Sequence, residues 1–239
     1  MAKRVLVTGF EPFGGDKINP SEMVARSLEG RLISGRPLSV RVLPSETRTL
    51  RERLEQALLE EDPDIVITMA QFGGRTAMAM ERVAVNILDF EHPDNVGVMR
   101  KGDVVSRGGA DARLSNLPFD KVIDAWNANG VPGYVSNSAG TFLGNQILYE
   151  LLGLNESATT PVISGLVHLP YLPAQAIAAG AESSPSMSHE LMKKGIEILI
   201  ETVVPWVDQR AAEPPLTAPG EKPKGRQMWI PRGVKEVER

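Results

Sequence analysis

The chain has 239 residues, of which 42% are hydrophobic and 23% charged, with 26 basic against 30 acidic side chains and no cysteine. At about 100–200 residues per domain this length suits one good-sized domain, and such a chain buries roughly 70% of its unfolded surface without a metal or disulfide. The composition excludes wholesale disorder, and the net charge of −4 argues against a nucleic-acid partner. No apolar run approaches the ~20 residues of a membrane span. The missing cysteine excludes disulfides, thiolate–metal sites and a thiol nucleophile.

The opening Met-Ala-Lys-Arg lacks the pattern of a signal peptide, so a cytoplasmic setting is expected. A β-branched run at 3–8, ending at Gly9, predicts a buried strand. Asn19-Pro20-Ser21-Glu22 then combines a capping residue, proline at the first helical position and a glutamate three after the cap. The helix it starts carries Met23, Val24, Ser27, Leu28 and Leu32 at helical spacing. Residues 38–43 alternate as a strand, and 46–60 form a helix with Leu50, Leu54, Ala57 and Leu58 on one face. Residues 64–69 are a strand leading into Gln71-Phe72-Gly73-Gly74, and a further strand is expected at 82–88, with Glu81 at its opening. A short strand at 134–137 enters Ser138-Ala139-Gly140, followed by a helix at 141–152, a strand at 162–169 and a long closing helix at 187–207. Strands alternating with helices imply a single α/β domain over 1–208 with a largely parallel, twisted sheet and helices on both faces, a three-layer sandwich. Residues 209–239 hold five prolines, seven basic and four acidic side chains without periodicity. They read as a flexible or surface-draped extension, with Trp229 and Ile230 hinting at one anchoring contact.

In this architecture sites lie in loops after the strands. The glycine-rich turn Thr8-Gly9-Phe10-Glu11-Pro12-Phe13-Gly14-Gly15 has the wrong spacing for a phosphate cradle, and its two phenylalanines better suit an apolar pocket wall. Of three histidines, His168 ends a buried-looking strand, a good place for a general base. His92 and His189 read as solvated loop and helix-start positions. Glu81 could orient His168, as a carboxylate does in hydrolase triads. A nucleophile would belong at the strand-to-helix turn Ser136-Asn137-Ser138-Ala139-Gly140-Thr141-Phe142-Leu143-Gly144-Asn145, where a helix amino terminus assists anionic chemistry. Gly144 stands there instead. No metal or cofactor is expected.

These segments together resemble pyroglutamyl peptidase I, or pyrrolidone carboxyl peptidase, a cysteine peptidase family. The resemblance is carried by TGFEPFGG (8–15), NPSE (19–22), FGGR with ERVAVN (72–86), PDN.G (93–97), SNSAGTFLGN (136–145) and GLVHLPYLPAQ (165–175), in order over about the first 205 residues. It implies a compact α/β/α sandwich that tends to form tetramers and a Cys–His–acid triad that removes amino-terminal pyroglutamate from peptides. By motif position the acid is Glu81, the histidine His168, and the family's cysteine falls at Gly144. The lactam pocket maps to Phe10, Phe13 and Phe142, with polar contacts from Asn19 and Gln71. Where the family usually reads Ala-Arg-Ile-Pro-Asp-Asn, this chain has Phe90-Glu91-His92-Pro93-Asp94-Asn95, so an arginine associated with oxyanion stabilisation is replaced by Glu91. Glycine cannot form an acyl-enzyme, and a carboxylate opposes a developing oxyanion.

Three functional readings follow. The first is a silent family member that retains a pyroglutamyl or small-lactam pocket, as a homo-oligomer. The second is an altered hydrolase in which water at Gly144, or Ser138 or Thr141 after a loop rearrangement, is activated by His168 and Glu81. The third is a non-catalytic subunit that co-assembles with an active paralogue through the extension.

Overall fold

A computed structural model describes residues 4–158, 162–180 and 184–212. In chain order the elements are β1 (Val5–Phe10), α1 (Pro20–Ser27), β2 (Leu32–Ile33), β3 (Arg36–Leu43), α2 (Leu50–Glu61), β4 (Ile65–Gln71), β5 (Met78–Glu81), β6 (Val83–Val85) and β7 (Ala112–Leu114). They continue with α3 (Phe119–Ala128), β8 (Gly133–Ser136), α4 (Leu143–Ser157), β9 (Ile163–Leu169), α5 (Pro173–Ala178) and α6 (His189–Ala212). Among the described residues the main sheet runs β2-β3-β1-β4-β9-β5-β8. Its centre, β3-β1-β4-β9, is parallel, and the chain direction reverses where β5 pairs with β9.

The strands β1 and β4 are near-continuous apolar runs because both of their faces are covered. One face packs Val5, Val7, Ile65, Ile67 and Val167 against Val24 and Leu28 at α1, Val122 and Trp126 of α3, and Met192, Ile196 and Leu199 of α6. The other packs Leu6, Val66 and Leu166 against Leu50, Leu54 and Leu58 of α2 and Ile147, Leu148 and Leu151 of α4. The three-layer α/β architecture expected from the alternation is therefore the one formed. At Gly9 an added Cβ would collide with the Ser21 carbonyl, so only glycine lets α1 lie this close to β1.

Several sequence expectations change in place. Glu81 closes β5 rather than opening a strand; the expected strand at 82–88 is reduced to β6, which pairs antiparallel with β7 outside the main sheet. The first helix ends at Ser27, and Leu32 opens β2 with its side chain exposed. The helix expected at 141–152 begins at Leu143 and continues to Ser157, while the closing helix begins at His189. The extension falls largely outside the described residues, Trp229 and Ile230 with it.

Candidate active site

The antiparallel β5–β9 pairing places Ala79 opposite His168, so Glu81 becomes the diagonal neighbour of His168 on the same sheet face. Its Oε1 accepts from His168 Nδ1 at 2.8 Å, across 87 residues of sequence. Glu81 is 0% and His168 3% exposed. Burial pushes the imidazole below its ordinary range; the Glu81 hydrogen bond and charge pull it up, and the nearby Arg75 adds to the lowering. The neutral ring therefore carries its proton on Nδ1 and leaves Nε2 as an acceptor.

Helix α4 brings its amino-terminal end over this pair. Asn145 fixes that end: its side chain accepts from Val85 N at 2.8 Å and donates to Val85 O and Ile87 O. Gly144 then faces His168 so closely that a Cβ would stand 2.6 Å from Nε2 and 3.5 Å from the Ala70 Cβ. Real Cβ contacts of that length essentially never occur, so the imidazole occupies room that any side chain at 144 would claim. A positive helix end, a base and a carboxylate thus converge on a position without a nucleophilic atom.

A cavity of about 590 Å³ opens beside them. Its apolar wall is Phe10, Phe13, Phe72 and Phe142, with Phe142 meeting Phe13 at 5.6 Å between ring centroids and Phe90 edge-on at 4.6 Å. Among the described residues three carboxylates, Asp16, Asp89 and Glu91, also line it, and no lysine or arginine does. The rim is tied together by Asp94, whose carboxylate accepts from Thr47 N, Val96 N and Val98 N, and by Asn95 Nδ2, which donates to Pro12 O. This holds the Glu91-His92 segment against the Phe13 loop. Gln71 Oε1 accepts from Gln175 Nε2 at 2.8 Å, and both side-chain amides donate to Asp16.

Of the positions singled out in the sequence, Phe10, Phe13, Phe142, Gln71, Gly144 and His168 line the cavity, and Glu81 stands behind His168. Asn19 does not belong to the lining. It is fully buried, caps α1 by accepting from Ser21 N and Oγ, and donates to Glu11 O, so its polar groups are spent on the loop that carries Phe13. Thr141 lines the cavity but donates its hydroxyl to Asp89 O at 2.7 Å, and Ser138 is exposed outside the lining. His92 is exposed as expected, yet its ring packs against Phe13 and Phe142 and lines the cavity. Sequence reading missed Arg75, which donates to Glu81 Oε1 at 2.8 Å, as well as Phe72, Tyr171 and Gln175. Their presence inside the FGGR and LPYLPAQ strings was the available signal.

The pyroglutamyl peptidase family profile matches residues 3–205. The pyrrolidone-carboxylate peptidase of Pyrococcus furiosus is 40% identical over 205 residues, covering 84% of this chain and 98% of that protein. Pyrrolidone-carboxylate peptidase 1 of Ralstonia nicotianae is also 40% identical, over 200 residues, covering 84% and 92%. Among solved structures, Bacillus amyloliquefaciens pyroglutamyl peptidase I superposes with a TM-score of 0.80 at 33% identity, over 85% of this chain and 97% of that one. The pyrrolidone carboxyl peptidase of Pyrococcus furiosus, described with its Cys-free mutant, gives a TM-score of 0.83 at 38% identity, over 85% and 99%. By match length, identity and fold, the chain belongs to the pyroglutamyl peptidase family.

Proposed function

We propose that this chain is a non-hydrolysing member of the family that binds an amino-terminal pyroglutamyl group or a similar small lactam. The observation that carries the reading is Gly144 against His168 Nε2 beside a ring-lined cavity. A neutral five-membered lactam needs flat apolar walls and a few fixed polar partners, which Phe10, Phe13 and Phe142 with the Gln71–Gln175 pair supply. The chemistry lacks its thiol, and the cavity is lined by the carboxylates of Asp89 and Glu91, a charge that opposes a developing oxyanion. Losing the nucleophile of a triad costs on the order of 10⁶ in rate.

Calorimetry with pyroglutamate and pyroglutamyl dipeptides tests the binding; absence of heat up to millimolar ligand sinks it. A fluorogenic pyroglutamyl amide, run beside the His168→Ala variant, tests the silence. Turnover that disappears with His168 would favour the altered hydrolase instead. The resemblance carries two further expectations, a homo-oligomer, with tetramers the family's tendency, and a cytoplasmic setting. Analytical ultracentrifugation and cell fractionation check them.

A further inference from the structure

Glu81 is buried, and both donors that reach its carboxylate use one oxygen. His168 Nδ1 and Arg75 Nη1 each lie 2.8 Å from Oε1, while the buried Oε2 takes no hydrogen bond among the described residues. A buried carboxylate that loses its counter-charge is strongly destabilising, so one positive group must stay beside it. Arg75, whose side chain is 13% exposed, supplies that charge. The same guanidinium lies 3.9 Å over the Phe72 ring centroid, and Phe72 meets the His168 ring edge-on at 5.1 Å. One side chain therefore grips both groups that fix the imidazole.

Other charges do not perform this task. The strand and helix that face His168 across Nε2 present Ala70 and Gly144. Asp16, Asp89, Glu91, His92 and Tyr171 share the cavity. Asp16 is held by the Gln71 and Gln175 amides, Asp89 by Lys101, and all three carboxylates would favour a charged imidazole rather than a neutral one. Without Arg75, the remaining donor to the Glu81 carboxylate among the described residues is His168 itself.

We propose that Arg75 is a positioning residue that holds His168 as a neutral imidazole and presents Nε2 to the cavity as a hydrogen-bond acceptor. With no thiol to deprotonate at 144, such an acceptor suits a ligand N–H, as in a lactam or other secondary amide. That last step rests on the ligand reading above; the positioning role does not.

The test follows the His168 imidazole by NMR titration of the full chain. In the unmodified chain His168 shows the neutral Nδ1–H tautomer at pH 7; an imidazolium there overturns the proposal without any variant. Arg75→Gln raises the His168 midpoint, as expected when a carboxylate loses its competing cation. Arg75→Lys, which keeps the charge, restores the lower midpoint. Equal midpoints in all three proteins contradict the role. Pyroglutamate calorimetry then separates the two claims. In Arg75→Gln, affinity falls several-fold as pH drops through the raised midpoint, and equal affinity on both sides of it removes the acceptor role. If pyroglutamate binds neither protein, the ligand reading fails while the titration still decides the role of Arg75.

Discussion

The two ends of the cavity differ in what they retain. At one end Phe10, Phe13 and Phe142 form a packed apolar wall, and Gln71 and Gln175 hold each other in fixed orientation. At the other, Glu81 and His168 keep the geometry of a base and its orienting carboxylate, but glycine stands at 144. The wall owes its shape to ring packing over β1 and the rim loops. The reacting end owes its geometry to strand pairing between β5 and β9. On the proposed reading, recognition and reaction use different side chains of one cavity, so one can lapse while the other persists.

The largest expected effect breaks that asymmetry. Gly144→Cys alone gains little, because its Cβ would sit 2.6 Å from Nε2 and the imidazole must first withdraw. Adding Glu91→Arg should raise turnover of a fluorogenic pyroglutamyl amide by about 10²-fold over the single variant, the scale of one oxyanion donor. No gain from the pair would mean that the reacting end has lost more than these two groups.

Protons provide a second contrast, since the phenylalanine wall carries none. Glu150, on α4, is buried with Oε2 unpartnered among the described residues, and desolvation raises it from 4.5 to about 7 against the opposing hydrogen bond from Gln146. The folded state then holds the proton that the unfolded chain releases. Stability is full below about pH 4.5 and is lost as pH rises through 7, by roughly 3 kcal/mol at about 1.4 kcal/mol per unit. Glu150→Gln should leave denaturant stability at pH 4 unchanged and gain that amount at pH 9; parallel curves would refute the assignment. His168 acts with the opposite sign. Its lowered folded value means that the unfolded chain binds the proton first, so its contribution is present above about pH 6.5 and fades on acidification. His168→Gln should flatten the acid side of the profile, again by denaturant titration.

A smaller effect sharpens the wall itself. Phe142→Ala removes the ring that meets Phe13, Phe90 and His92. Burial of a phenylalanine is worth about 1.5–3 kcal/mol, so pyroglutamyl affinity by calorimetry should fall roughly ten- to a hundredfold. Affinity unchanged by this substitution would place the ligand elsewhere.

Much of the fold was legible because its central strands are apolar runs and its first helix carries a complete start signal at Asn19-Pro20. The strand β5 was not, since Met-Ala-Met-Glu lacks β-branched residues and takes its conformation from pairing on both sides. That omission moved Glu81 from the end of one strand to the start of another. Helix α3 was missed although Phe119, Val122, Ile123 and Trp126 keep helical spacing and pack on the core. At the site, the motifs supplied the rings and the histidine. Asn19 was misplaced because the residue that signals a helix cap spends its polar groups as one. Arg75 and His92 act only through neighbours brought by the fold, and no periodicity or spacing announces such contacts.

A pocket that recognises without cleaving is put to the test by titrating a pyroglutamyl dipeptide into the protein and then recovering the ligand for mass analysis. Saturable heat with the dipeptide returned intact is the expected result. Release of free pyroglutamate that stops in the His168→Ala variant, or no heat up to millimolar dipeptide, would contradict it.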